Sequence, residues 1–421
     1  MQRLRISLPY FASYGWDVEI VTVDKKYADL AKDELLMQSV PSTVKIHHVK
    51  ALNKSWTSKI GLGSIALRSL WYYRKKVNQL LKDGKFDLVY FSTTQFPVCI
   101  LGAYWKAKFK VPYVIDMQDP WHTDYYEDKP KEQRPNKYWL SYPLNKFLEP
   151  IAIEKADGLI SVSDSYIHEL KARYPAIKSI PAATITFGAF EPDMKIAVDS
   201  QSKFPALLNP AFKNIAYIGR GGADLHKAII PFFKALAKGL KSEPQLFNSL
   251  KIYFIGTSYA ANGQGTPTIL PLARQYQVQN NVVEITNRIS YYHTLNTLLN
   301  AHALFIPGSD DPAYTASKIY PYLLTKKPLL AIFNKQSSAF NILNNCSQNA
   351  IILTFDEEEN KLDETIYNTL RSWAEGTFTP ISILKEFEDY SAKNLTKKQT
   401  DLFNLAIAHF KNEPDTIHID N

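Results

Sequence analysis

Tyr217-Ile218-Gly219-Arg220-Gly221-Gly222 ends an apolar run, Asn214–Ile218, and opens onto a helix-patterned stretch, Leu225–Leu240. Further along, the strand-like Ala303-Leu304-Phe305-Ile306-Pro307 leads into Ser317-Lys318-Ile319-Tyr320-Pro321-Tyr322-Leu323-Leu324. Both are points where a buried strand hands over to a helix, and in an open α/β sheet ligands gather at such carboxyl ends. Glycine lets backbone approach phosphate closely, and a helix N-terminus supplies N–H groups and partial positive charge. Arg220 and Lys318 add cations on two separate elements. The combination suits a diphosphate better than a single small anion.

Around these motifs, strand patterns alternate with helical ones, the signature of parallel α/β domains. One series of expected strands is Asp17–Val23, Thr43–Val49, Leu88–Ser92, Tyr113–Asp116, Gly158–Ser161 and Ala183–Phe187. A second is Asn214–Ile218, Leu250–Ile255, Val282–Ile285, Leu304–Pro307, Leu329–Phe333 and Ala350–Thr354. Between them, 191–213 is polar and punctuated by Pro192, Pro205 and Pro210, and reads as a linker. The expected plan is an N-terminal Rossmann-like domain over 1–190, a second over 214–380, and a helical tail over 381–421. The tail either returns to the first domain or packs on the second. The N-terminus reads as a helix, Gln2–Tyr14, ahead of the first strand. A Rossmann order begins with a central strand, so the expectation is a start lacking about 20–30 residues and an interrupted sheet.

With 421 residues, 45% of them hydrophobic and 21% charged, the composition is ordinary for two globular domains. Cys99 and Cys346 are the only cysteines, which argues against a disulfide framework and for a reducing, cytoplasmic setting. No apolar run reaches bilayer-spanning length. The net charge of +8 is lopsided: residues 1–150 hold 23 Lys/Arg against 15 Asp/Glu, and residues 151–421 hold 26 of each. The basic half points to an anionic partner, and no nucleic-acid motif accompanies it. Residues 54–81 interleave Trp56, Trp71, Tyr72 and Tyr73 with Lys59, Arg68, Arg74, Lys75 and Lys76. That suits a helix on the inner face of the plasma membrane; a helix packed on its own sheet gives similar periodicity.

Phe86-Asp87-Leu88-Val89-Tyr90-Phe91-Ser92-Thr93-Thr94, Val111-Pro112-Tyr113-Val114-Ile115-Asp116-Met117-Gln118-Asp119-Pro120-Trp121 and Ala156-Asp157-Gly158-Leu159-Ile160-Ser161-Val162-Ser163 precede the two motifs. In this order the set resembles the GT-B glycosyltransferases of the large retaining family 4. The resemblance implies two Rossmann-like domains with a cleft between them. It also implies donor diphosphate binding by Gly219, Arg220, Gly221, Ser317 and Lys318, with Lys227 as a third cation and Tyr322 on the same helix. Many members carry two Glu residues seven positions apart that hold donor hydroxyls. Ala313 and Pro321 stand there in this chain, and Asp310 and Asp311 are the substitutes on offer, or else form a solvated turn before Pro312.

Transfer from a nucleotide sugar leaves charge on the departing diphosphate, which fixed cations stabilise; Arg220 and Lys318 are the candidates. On the acceptor side Asp116, Asp119 and Trp121 follow a strand end, with Asp119 the candidate general base or else the cap of a turn at Pro120. No Asp-x-Asp triplet or paired-His spacing is present, so neither metal nor cofactor is expected. The reading is a retaining, metal-independent hexosyltransferase that moves a sugar from a nucleotide-sugar donor to a lipid-linked or polysaccharide acceptor in cell-surface glycan synthesis. A GT-B nucleotide-sugar epimerase and a non-catalytic sugar-nucleotide-binding relative remain as alternatives.

Overall fold

The computed structural model describes residues 2–27, 33–58, 63–122, 124, 127, 130–131, 134, 138–261, 263–311 and 318–412. The chain forms two compact units, Met1–Gly188 with Ala392–Asn421, and Ala189–Ser391. The strands of the first are β1 (Glu19–Val23), β2 (Lys45–Val49), β3 (Val89–Ser92), β4 (Tyr113–Met117), β5 (Gly158–Ser161) and β6 (Ala182–Thr184). Its helices begin with α1 (Gln2–Ser7), α2 (Lys54–Thr57), α3 (Ile65–Asp83), α4 (Ile100–Phe109), α5 (Tyr138–Ile153) and α6 (Asp164–Arg173). β3-β4-β5-β6 is one parallel sheet, while β1 pairs with β2 in a separate parallel ladder. Among the described residues no ladder joins β1 to β3, so the interruption expected in this sheet falls there. The expected helix Gln2–Tyr14 stops at Ser7, because Pro9 carries no N–H and disfavours a helical Leu8.

The second unit contains α7 (Glu191–Asp199), α8 (His226–Ser242), α9 (Pro244–Phe247), α10 (Leu270–Gln275), α11 (Tyr291–Asn300), α12 (Ile319–Thr325), α13 (Ser338–Cys346) and α14 (Glu359–Glu375). Its strands are β7 (Lys213–Ile218), β8 (Leu250–Ile255), β9 (Val282–Ile285), β10 (Ala303–Pro307), β11 (Leu329–Phe333), β12 (Ser347–Gln348), β13 (Ile351–Thr354) and β14 (Ser382–Ile383). Six of them form a sheet in the order β13-β11-β10-β7-β8-β9, parallel throughout. β7, β8, β10 and β11 are buried almost end to end, as strands covered by helices on both faces should be. α8 turns Ile229, Phe232, Phe233 and Leu236 inward at three- and four-residue steps. Phe232 stacks on Phe305 of β10 at 4.4 Å between ring centroids.

Two sequence expectations are corrected here. The stretch 191–213 is not a free linker: 191–199 is α7, which packs on α11 and ties buried Asp193 to the Tyr292 hydroxyl at 2.7 Å. Pro192 sits in the first turn, where its missing N–H would have had no partner anyway, so a residue read as a breaker starts the helix. The tail is divided as well. Residues 382–383 form β14, antiparallel to β12, and 385–390 form a 3-10 turn; both belong to the second unit.

Only then does α15 (Ala392–Asn412) join the first unit. It lays Leu395, Leu402, Phe403 and Ala406 against Leu8, Phe11, Val114 and Ile160. The Phe403 ring lies 4.9 Å from Tyr90, 5.2 Å from Trp16 and 6.2 Å from Phe11. Buried Gln399 donates to Ser7 Oγ at 2.8 Å. Truncating a buried aromatic removes transfer energy and leaves a cavity, together about 3–5 kcal/mol. Phe403→Ala is therefore expected to lower the unfolding transition of the first unit and leave that of the second in place. Calorimetry resolving two transitions checks this, and an unchanged first transition refutes it.

Candidate functional site

The order β13-β11-β10-β7-β8-β9 reverses direction between β7 and β10: the chain builds β8 and β9 on one side of β7, then crosses to build β10, β11 and β13 on the other. Such a reversal opens a crevice at the carboxyl ends of the two central strands. Gly219–Gly222 leaves β7 at this point, and Lys318 sits at the start of α12, which follows β10. The two motifs quoted first from the sequence are thus neighbours across the switch point.

Lys318 Nζ lies 3.3 Å from the Tyr217 hydroxyl and 5.2 Å from the centre of that ring. It passes over Gly219, where a Cβ would come 2.1 Å from Nζ and 2.7 Å from the Tyr217 oxygen. A side chain at this position would displace the ammonium. Burial pulls the Lys318 ammonium down to about 8, and the positive charges of Arg220 and Arg288 add to the effect. A Cβ on Gly221 would meet Thr268 Oγ1 at 2.7 Å and Thr257 Cβ at 2.9 Å. The amides of Gly219 and Gly221 donate to Ile255 and Thr257 carbonyls at 2.8 Å each, so these two N–H groups hold the turn onto β8. The glycines were expected to let backbone approach a phosphate closely; here Gly219 and Gly221 leave room for the lysine and for a close turn.

Arg220 reaches Asp224, one helical turn on, with both terminal nitrogens, Nη1 to Oδ1 at 2.7 Å. That contact holds the Asp224 carboxyl below its usual range. Arg220 and Asp224 thus form a surface ion pair, each about one-third exposed. Arg288 is a residue the sequence reading passed over. It stands just past the end of β9, with its guanidinium 5.0 Å from the ring of the exposed Tyr259. The strand-end rule applied to β7 and β10 would have flagged it at β9 too. Three cations on three loops thus act on one locality.

The remaining expected donor residues fare unevenly. Tyr322 is buried, and its hydroxyl accepts from the Ile218 N–H at 2.8 Å, fastening α12 to β7 rather than facing solvent. Lys227 and Asp310 lie 3.6 Å apart, both more than half exposed. Asp311 donates its N–H to Ser309 Oγ at 3.3 Å. Ser317 lies outside the described residues. Glu284 accepts from the N–H groups of Thr268, Ile269 and Leu270 and from the Thr257 hydroxyl, and so fixes the start of α10.

Two of the three acceptor-side expectations in the first unit are corrected. Asp116 is fully buried, its Oδ2 bound by Arg3 Nε at 2.8 Å, Gln118 Nε2 at 2.7 Å, and the Tyr90 and Ser92 hydroxyls at 3.2 Å. Trp121 is 6% exposed, stacked on Phe96 at 5.6 Å, its indole N–H donated to Asn145. Both residues build the core. Asp119 alone of the three stays exposed, with partial burial raising its carboxyl above the usual value.

The comparisons with known proteins agree with this architecture. Residues 9–186 match the family model described as Glycosyltransferase Family 4. Anabaena HepE, solved in complex with UDP, is similar in fold at 15% identity, with a TM-score of 0.52 over 96% of each chain. The chain has the GT-B fold. The UDP-forming trehalose-phosphate synthase of Burkholderia xenovorans, solved with glucose-6-phosphate, is likewise similar: 10% identity, TM-score 0.51, 96% of this chain and 94% of that one. No curated protein matches the chain.

Two outcomes follow for this site. Gly219→Ala forces the lysine off its position, and an anion such as UDP is expected to bind at least about tenfold more weakly, a difference of about 1.4 kcal/mol. Calorimetric titration measures it; equal affinity would refute the packing argument. The pH dependence has two opposite signs. Lys318 titrates lower in the folded chain than unfolded, so the unfolded chain binds more protons from about pH 8 up to the ordinary lysine value, and this group's effect on stability becomes more favourable as pH rises through that window. Binding of an anion against the same ammonium weakens in that window by up to about tenfold per pH unit, because the proton must be restored. Titrations across pH 7–10 on wild type and Lys318→Arg check both, since arginine stays charged and abolishes both slopes.

Proposed function

We propose that the protein transfers a sugar, with retention and without a metal, from a nucleoside diphosphate sugar to a lipid-linked or polysaccharide acceptor in cell-surface glycan synthesis. The observation that carries the donor half is the convergence of Lys318, Arg220 and Arg288 at the switch point of the second unit. In the transfer, the bond from the anomeric carbon to the donor phosphate oxygen breaks and the acceptor oxygen bonds to that carbon. The electron pair leaves on the diphosphate, where preorganised cations are worth most. Lys318 is set against the Tyr217 hydroxyl and ring, and a diphosphate would relieve its repulsion from the two arginines. Arg220 would share or exchange its Asp224 partner for phosphate oxygens, to which its planar fork is suited. Asp119, exposed and raised, is the candidate to accept the acceptor's proton on the first unit.

HepE was solved with UDP, which supports uridine as the first base to try. The test is a thermal-shift titration with UDP, GDP, ADP, dTDP and CMP on wild type and on Arg220→Ala, Arg288→Ala and Lys318→Ala. A ligand at a hundred times its dissociation constant adds about 2.7 kcal/mol of stability. One diphosphate should stabilise wild type, and each substitution should remove most of that shift. A chain that responds to none of the diphosphates would overturn the donor reading.

A further inference from the structure

On one face of the β3–β6 sheet, α3, α4 and α5 lie side by side and turn Val77, Leu101, Trp105, Leu148 and Ala152 into one core. Their opposite faces meet solvent. On α5 that face reads Trp139, Pro143, Phe147, Ile151, a four-residue step that keeps all four on one line along the helix. Trp139 is 77% exposed and Phe147 67%, and Ile151 is also open to solvent. On α3, Trp71 is 60% exposed. Scattered apolar residues on a surface are ordinary; a continuous row that includes an exposed tryptophan marks an interaction face.

Charge exposed on the three helices themselves is nearly all of one sign, while Asp124 and Glu127 ahead of α5 accept from the Tyr142 hydroxyl. The exposed charged residues of the three helices are Arg74, Lys75, Lys82, Lys108 and Lys146 against Asp83 alone. Glu149, the one acid within α5, is buried and bound to Arg173 at 2.6 Å. Arg74 lies 4.3 Å from the Tyr104 ring, and Lys108 Nζ donates to the Tyr104 hydroxyl at 3.1 Å. Arg74 first, then Lys108, pull that hydroxyl down to about 8. A surface that stabilises one phenolate oxygen also favours phosphate oxygens.

We propose that this face docks on an anionic lipid bilayer, with Trp139, Phe147 and Ile151 entering the boundary between headgroups and acyl chains and the flanking lysines and Arg74 meeting lipid phosphates. Aromatic and aliphatic residues bordered by cations suit that interface. A second copy of the chain fits less well, because a two-fold contact sets the same basic rims against each other. The segment 54–81 expected at a membrane contributes Trp71, Arg74 and Lys75 to the face, while its inner side packs on the sheet. The row on α5 is the larger part. Among the described residues no helix is long and apolar enough to cross a membrane, so contact is along the surface.

The experiment is co-sedimentation of the full chain with phosphatidylcholine vesicles containing about a third phosphatidylglycerol, beside vesicles of phosphatidylcholine alone. Wild type should pellet with the anionic vesicles and much less with the neutral ones. Trp139→Glu with Phe147→Glu should weaken binding at least about tenfold; Lys75→Glu with Lys108→Glu should do the same and remove the salt dependence. Thermal midpoints confirm that each variant is folded, and Trp139→Ala with Phe147→Ala reads the same loss if the glutamates disturb α5. Wild type that ignores anionic vesicles, or binding untouched by the α5 variants, overturns the proposal. So does a concentration-dependent dimer that the same α5 substitutions dissociate.

Discussion

The candidate site rests on one steric constraint: the ammonium of Lys318 occupies the volume in which any side chain at residue 219 would begin. That position is possible only because β7 and β10 are adjacent, which the six-strand order secures. Adjacency is in turn held from beneath and from the side. Phe232 and Phe305 stack across α8 and β10, and the Tyr322 hydroxyl fastens α12 to the Ile218 amide. A charged group set among apolar neighbours and two arginines is destabilising by itself. The buried core around β7, β8, β10 and β11 supplies the excess stability that keeps it there. An anion placed among these cations would turn their repulsion into attraction.

The first unit solves a similar problem in the opposite way. Arg3 and Asp116 are both buried and pair with each other, and Glu149 is fully buried among Arg173, Tyr174 and His122. Breaking such a pair strands a charge and costs about 3–5 kcal/mol, so these groups are committed to holding α1, α5 and α6 on the sheet. Among the described residues, Asp224 is set against Arg220 at the switch point, while Lys318 reaches the Tyr217 phenol oxygen. Charge satisfied within the protein is architecture; charge left partly unsatisfied at a strand end is available for a ligand.

That distinction explains what sequence could and could not disclose. All twelve expected strands exist, most within two residues of their anticipated ends, because fully buried parallel strands read as short apolar runs between turn residues. The handover at Gly219 and at Lys318 was legible for the same reason. The partners were not. Asp116, Trp121 and Tyr322 have the right chemistry at the right strand ends, yet each spends its polar atom on a residue distant in sequence. Arg288 went unnoticed because no glycine marks it; only the sheet order shows that β9 ends beside the same crevice side. Pro192 misled in the other direction, since a proline ends a helix or begins one depending on which turn it occupies. The exposed row on α5 was masked by Pro143 and Pro150, which obscure helical periodicity in the sequence while the helix runs through both.

The basic excess of the N-terminal sequence and the cations of the second unit are physically different kinds of positive charge. Arg74, Lys75, Lys82 and Lys108 stand in water, where each is screened within about 8–10 Å at ordinary ionic strength. Their attraction for an anion is additive, weak per residue and steeply dependent on salt. Lys318 is largely withdrawn from water, so its field is less screened and depends on pH through its own titration near 8. Salt therefore acts mainly on the helical face of the first unit, and alkali mainly on the crevice of the second. The two proposed contacts, with an anionic bilayer and with a diphosphate, are kept apart by this division, because neither competes for the other's cations.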